Sequence, residues 1–347
     1  MAKTAGPYRI GLDQIIDELK SRETIPCTMS LDVALGGGMP RGATVLIAGK
    51  EKLGKTTLCL QYGANAQRLF GAKVFYFNIE GRLTSHVTEQ ITGLQTSQDK
   101  FEVIMGPPIF NADGKRVGNK KLDAGQWWTM IGQCITDSPG SVIVVDSIAN
   151  MATDREIAEG MGYQGRGDKN KFESQFARLY GDMVIANEVT LFLITQLQAN
   201  TSGYGAAQQM KVGNQIKYQA DAILYGTSAK KWEKKDGRIL GHDMCYTIIH
   251  SPNGPPHVDV EIPLRYGTGI DLVADTINHA INWGLIERAG AWYKIPFVNQ
   301  DEEMVYTEIA DGTDNIKLQG EVNVRNFFIK HESCLRTLET TLRARIF

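Results

Sequence analysis

The chain has 347 residues, 42% hydrophobic and 22% charged, with a formal net charge of −2, values that suit one large domain, or one large and one small, around a substantial core. Overall charge gives no argument for a polyanionic partner, so any nucleic-acid site has to be local. Five cysteines without C-x-x-C spacing argue against a disulfide framework or a zinc site, no apolar run reaches the ~18 residues of a membrane span, and the first residues lack the apolar stretch of a secretory signal, so the expectation is a soluble, cytoplasmic protein.

In chain order, residues 8–20 ("YRIGLDQIIDELK") place Leu12, Ile15, Ile16 and Leu19 on one helical face. That helix either packs on its own domain or serves as an arm for a neighbouring subunit, and the residues leave both open. Short apolar runs then recur at 44–48, 74–79, 142–146, 190–195 and 222–226. They are near-continuous rather than alternating, the pattern of strands buried on both faces. Amphipathic stretches at 55–69, 124–136 and 170–187 separate them, which predicts an α/β fold with a mostly parallel sheet flanked by helices. Within it, 109–123 reads as a hairpin turning at Asp113-Gly114. The polar stretch after 195, rich in Gln, Gly, Asn and Ser, reads as a loop longer than compact domains usually carry without a function.

After residue 226 the rhythm changes. "SAKKWEKKDGR" reads as a solvated basic turn, and "CYTIIH" and "HVDVEI" as antiparallel strands. A helix over 272–283, an acidic patch at 301–314 and a basic-apolar helix ending at Phe347 suggest a small C-terminal domain from about residue 270.

The strongest chemical signal is "GKEKLGKT". Gly49, Lys50, Glu51, Lys52, Leu53, Gly54, Lys55 and Thr56 match G-x-x-x-x-G-K-[ST], with Thr57 next, between a strand and a helix as the motif requires. The glycines let backbone N–H groups turn toward phosphate oxygens, and the helix N-terminus adds partial positive charge. Lys55 is expected to reach the β- and γ-phosphates of ATP and the Thr56 hydroxyl to ligate Mg²⁺. Asp146 ends the strand "VIVVD" at the edge where open α/β sheets bind ligands, so it is assigned as the second metal partner, with Ser147 as a helper. Glu80, ending the strand after the phosphate-loop helix, is assigned to orient the attacking water.

Eight stretches occur in one order: "SLDVALGGGMPRG", "GKEKLGKTTL", "FNIEGRLTS", "VIVVDSIANM", "LITQLQ", "VGNQIKYQAD", "LRYGTGI" and "LIERAGAWY". Together they resemble the RecA family of DNA strand-exchange recombinases, the bacterial type most closely, over about residues 25–295. The resemblance implies an N-terminal polymerisation segment (1–30), a P-loop ATPase core with two DNA-binding loops (31–269) and a small α+β C-terminal domain (270–347). It also implies a helical homo-oligomeric filament on single-stranded DNA that pairs with homologous duplex DNA. By position, Glu80 resembles the catalytic carboxylate, Gln196 the γ-phosphate sensor heading the second DNA loop, and Tyr266 a tyrosine near the base.

The second loop, 197–213, would bring Gln198, Tyr204, Lys211 and Gly213 to DNA, with Asn214 just beyond it. The first, 157–169, would bring Arg166 and Lys169, with Lys171 and Arg178 beyond it. Such cations grip a phosphate backbone without reading sequence. The chain departs from the family where bacterial members carry two lysines that reach the neighbour's γ-phosphate: it has His250 and Pro252. Two further readings stand beside the recombinase: a RecA-fold ATPase motor, and a single-stranded-DNA-coating accessory protein without strand exchange.

Overall fold

The computed structural model describes residues 22–160, 168–200, 208–233, 237–310 and 312–347. The helix expected over 8–20, and the candidate DNA residues Arg166 and Tyr204, lie outside these residues.

Helix α1 (Met29–Leu35) starts at Thr28, whose hydroxyl accepts from the Leu31 N–H, and stops at Gly36 in the left-handed conformation that helix ends favour. Strand β1 (Thr44–Gly49) feeds helix α2 (Lys55–Phe70). Strands β2 (Val74–Asn78) and β3 (Phe101–Ile104) follow, then a hairpin of β4 (Pro108–Phe110) and β5 (Arg116–Asn119). Helix α3 (Ala124–Asp137) begins with a capping box between Asp123 and Gln126. Next come β6 (Val142–Asp146), α4 (Asp154–Glu159), α5 (Asp168–Ala186), β7 (Thr190–Ala199), β8 (Gln208–Met210) and α6 (Asn214–Gln219). Strands β9 (Ala222–Glu233), β10 (Ile239–His250), β11 (Val258–Arg265) and β12 (Gly269–Ile270) complete the main sheet. Helices α7 (Leu272–Asn282), α8 (Glu321–Lys330) and α9 (Glu332–Ile346) enclose short strands at the C-terminal end.

The sheet order is β12-β11-β10-β9-β1-β7-β6-β2-β3, with β8 paired back onto β7. Every pairing from β9 to β3 is parallel, and those from β9 to β12 are antiparallel. The apolar runs are continuous because successive side chains enter different cores. Val45 and Ile47 pack on one face with Leu58 and Tyr62 of α2, while Leu46 packs on the other with Trp127 and Ile131 of α3. In β6, Val142 and Val144 take the first face, Ile143 and Val145 the second. Fully burying each such side chain contributes about 1.5–3 kcal/mol. A third core gathers Ile277, Tyr293, Phe297, Phe328 and Leu338 around Met29 of α1.

Three segments differ from their sequence reading. Residues 228–233, expected in a solvated turn, continue β9 as one leg of a ribbon with β10: Ala229 pairs with Met244 and Lys231 with His242. Their side chains are mostly exposed, so the lysine-rich composition reflects a ribbon standing in water. The stretch after Thr195 is hairpin rather than loop at both ends, because β7 runs on to Ala199 and β8 returns along it, Gln209 opposite Gln198. The C-terminal helix is two, broken at His331.

Candidate active site

Because β1, β2, β6 and β7 are parallel neighbours, their C-terminal ends meet at one edge of the sheet. In register, Gly49 lies beside Gln196, and Asn78 beside Asp146. A cleft of about 310 Å³ opens there, lined by Glu51 to Thr57, Tyr76, Glu80, Arg82, Asp146, Ser147, Gln196, His242 and Tyr266.

The loop into α2 keeps its shape through Gly54. That residue has φ +81°, and a Cβ on it would collide with the Met244 sulfur. Lys55 curls back and donates from Nζ to the carbonyls of Gly49 at 2.9 Å and Lys50 at 2.7 Å. Partial burial pulls its ammonium down from the ordinary lysine range, and the nearby Asp146 and Glu80 carboxylates oppose that shift.

Asp146 is nearly buried, and its Oδ2 accepts two hydroxyls, Thr56 Oγ1 at 2.6 Å and Tyr76 OH at 2.7 Å. Desolvation raises its carboxyl above the usual range, the two hydroxyls pull it back, and Glu80 pushes it up again. Its own burial, and then the same carboxylate, drive the Tyr76 phenol well above its ordinary value, so Tyr76 stays a donor. Thr56 and Asp146 form a hard-oxygen donor pair of the kind Mg²⁺ takes alongside water and phosphate oxygens. Burial of Asp146 against α2 leaves a carboxylate that an added cation would compensate.

Glu80 Oε1 accepts from Ser147 Oγ at 2.9 Å and from Gln196 Nε2 at 2.8 Å, and its Oε2 lies 3.6 Å from Arg82 Nε. A carboxylate held this way keeps a fixed orientation beside the phosphate loop. Gln196 is tied in turn to the returning strand: the Lys211 N–H donates to the Gln196 carbonyl at 2.9 Å, and Thr195 Oγ1 donates to the Lys211 carbonyl at 2.8 Å. Tyr266 is about half exposed at the cleft mouth, its hydroxyl 3.2 Å from Nδ1 of the buried His242. Burial holds the His242 imidazole below its ordinary pKa, and the Asp243 carboxylate opposes that shift.

The residues expected at DNA are brought together less completely. Gln198, Lys211, Asn214, Lys171 and Arg178 are exposed. Lys169 and Gly213 instead converge on Glu173, a fully buried acid of α5. Glu173 Oε2 accepts the Gly213 N–H at 2.5 Å, and its Oε1 lies 3.9 Å from Lys169 Nζ. Burial raises the Glu173 carboxyl and lowers the Lys169 ammonium. His250 is turned inward, its Nε2 2.8 Å from the Ala220 carbonyl.

Sequence reasoning missed Tyr76, Arg82, His242 and Glu173. Tyr76 had one available signal: alternation in β2 puts it on the α2 face, together with Val74.

A family model described as "ATPase: KaiC" matches residues 11–221. Protein RecA of Teredinibacter turnerae is 28% identical over 335 residues, covering 94% of this chain and 86% of the relative. Protein RecA of Ruminococcus albus is 26% identical, covering 93% and 72% respectively, and that of Thermus thermophilus 28%, covering 77% and 73%. With well over half of its length under the family model, and carrying the parallel sheet and the phosphate loop at its edge, this chain belongs to the RecA-like ATPases and is an ATP-hydrolysing enzyme.

Proposed function

We propose that the protein is a DNA-dependent ATPase that assembles on single-stranded DNA as a helical filament and promotes homologous pairing and strand exchange. The observation that carries this reading is the Gln196–Glu80 hydrogen bond at the root of the β7–β8 hairpin. It joins the carboxylate beside the phosphate loop to the strand that leads into the second candidate DNA segment.

In this reading the backbone N–H groups from Gly49 to Thr57 cradle the triphosphate of ATP, and Lys55 exchanges its two carbonyls for phosphate oxygens. Thr56 and Asp146 would hold Mg²⁺, which when bound neutralises charge on the phosphates. Glu80 accepts a proton from, and aims, the attacking water. Gln196 trades its bond to Glu80 for a γ-phosphate oxygen, and the backbone bond to Lys211 carries that movement into the hairpin, a switch of the order–disorder type. Tyr266 covers the base. Arg166, Lys169, Lys171, Arg178, Gln198, Tyr204, Lys211, Gly213 and Asn214 belong to the two DNA-facing segments, whose cations grip phosphates.

The domain division 1–30, 31–269 and 270–347 belongs to the same proposal, as do homologous duplex DNA as second substrate and a cytoplasmic, nucleoid-associated location. Among the described residues no helix is long and apolar enough to cross a membrane. The inward-turned His250 favours weaker coupling of hydrolysis between subunits, and so keeps the coating protein as a second reading.

The test is the ATPase rate with and without long single-stranded DNA, at two salt concentrations. Strong, salt-sensitive stimulation followed by strand exchange between homologous substrates is expected. ATP turnover indifferent to DNA would overturn the proposal, and stimulation without strand exchange would leave the coating protein.

A further inference from the structure

We propose that the β4–β5 hairpin is a third contact for single-stranded DNA, separate from the segments that follow β6 and β7. Residues 107–121 are all exposed. They carry Lys115, Arg116, Lys120 and Lys121 against one acid, Asp113, in a chain whose net charge is −2. Arg116 donates to the Asn119 side-chain oxygen at 2.5 Å and approaches the Met105 sulfur at 3.0 Å. Among the described residues no carboxylate pairs with any of the four cations.

Solvation alone accounts for exposed lysines. It does not account for the large apolar side chains beside them: Ile109 is 46% exposed, Phe110 58% and Val117 61%. Phe110 pairs across the ribbon with Arg116, so an aromatic face and a guanidinium share one position. Cations for a phosphate backbone, interleaved with an aromatic for base faces, are the combination that holds single strands without reading sequence.

The hairpin is also in the right place. β3 is parallel to β2, and β2 to β6, so the hairpin leaves the sheet at the edge where Asp146 ends β6 and Gln196 stands beside Gly49. It returns beside the segment after β6: Asp123 bridges Ala152, and the Ala124 N–H donates to the Ala152 carbonyl at 2.7 Å. Ala152 lies just ahead of α4, which opens the 157–169 segment. A strand bound there passes the hairpin. This inference rests on the DNA reading proposed above.

The experiment compares the full-length chain with a variant carrying Lys115→Gln, Arg116→Gln, Lys120→Gln and Lys121→Gln. Affinity for a fluorescein-labelled single-stranded oligonucleotide is read by anisotropy, with a non-hydrolysable ATP analogue, between 50 and 200 mM salt. Each phosphate contact adds about 0.7 to the log–log salt slope, so four contacts make the wild type lose about 50-fold more affinity over that range than the variant. Phe110→Ser is expected to weaken binding about tenfold with the slope unchanged, as for one lost stacked base. DNA-independent ATPase activity stays at the wild-type level in both, because none of these residues lines the cleft. A quadruple variant with wild-type affinity and slope overturns the third contact and leaves the DNA reading standing. A wild type without affinity for the oligonucleotide overturns both. A variant that keeps its DNA affinity but sediments as a smaller species makes the hairpin a contact between copies, and overturns the proposal.

Discussion

Replacing Tyr76 by Phe removes one oxygen from the buried side of the cleft. The ring stays packed near Phe101, at a centroid distance of 6.5 Å, so the change is confined to the hydroxyl that Asp146 accepts at 2.7 Å. A hydrogen bond to a charged group is worth about 1.5–3 kcal/mol. Losing that donor therefore costs the ionised Asp146 about that much against its protonated form and moves its titration upward, with Thr56 left as the remaining hydroxyl. The direction adds to the rise that burial already imposes. If ionised Asp146 holds Mg²⁺, the affinity for a fluorescent ATP analogue in the presence of Mg²⁺ falls away at higher pH in the variant than in the wild type. The acid limb moves to higher pH in the variant, while affinities well above it agree. Titrating both proteins from about pH 4.5 to 8 reads this directly. Coincident acid limbs would refute the role given to the Tyr76–Asp146 bond.

Glu80→Gln keeps the side chain's shape and an oxygen for Ser147 and Gln196, but cannot accept the water's proton. Single-turnover hydrolysis is expected to slow by about 10²–10⁴-fold with nucleotide affinity within a few-fold of wild type, and unchanged turnover removes Glu80 from the chemistry. Gln196→Ala retains DNA-independent hydrolysis and loses the DNA-stimulated increment; an intact increment in a steady-state ATPase assay contradicts the switch role. Asp32, buried where α1 meets α9, has its carboxyl pushed up to about 6 by burial, although the Arg343 guanidinium sits 2.5 Å from it. The folded chain then binds this proton more tightly than the unfolded chain. Its contribution to stability is full below about pH 4, is lost as pH rises to about 6, and amounts to roughly 3 kcal/mol at most. Asp275 and Glu339 at the same junction are raised by burial and carry the same sign, with His279 facing Asp275 across Ser30. Urea unfolding at pH 4.5 and 7.5 should show a smaller difference in Asp32→Asn than in the wild type, and equal differences contradict the assignment.

The parallel sheet was legible because its strands are buried on both faces, so their apolar runs stand out without any partner being known. The phosphate loop was legible because its residues are contiguous. Tyr76 was not, since its significance depends on a carboxylate 70 positions later that reaches it only through sheet register. Glu173 was hidden for a similar reason: within its own helix it resembles any surface acid, and the Gly213 N–H that it accepts comes from another element. The β9–β10 ribbon was misread because lysines and glutamates on a two-stranded ribbon in water have the composition of a turn. The register pairing Lys231 with His242 comes from the partner strand, not from local preference.

Glu173 has one more consequence. A Cβ at position 213 would press on its carboxylate oxygen, so any larger residue there has to displace the Glu173 side chain from the Gly213 N–H. The chain of bonds runs from Glu173 in α5 to the Gly213 N–H and, two residues earlier, from the Lys211 N–H to the Gln196 carbonyl. The helix after the first candidate DNA segment and the strand that carries Gln196 are thus joined by a path of two hydrogen bonds and a few residues of backbone.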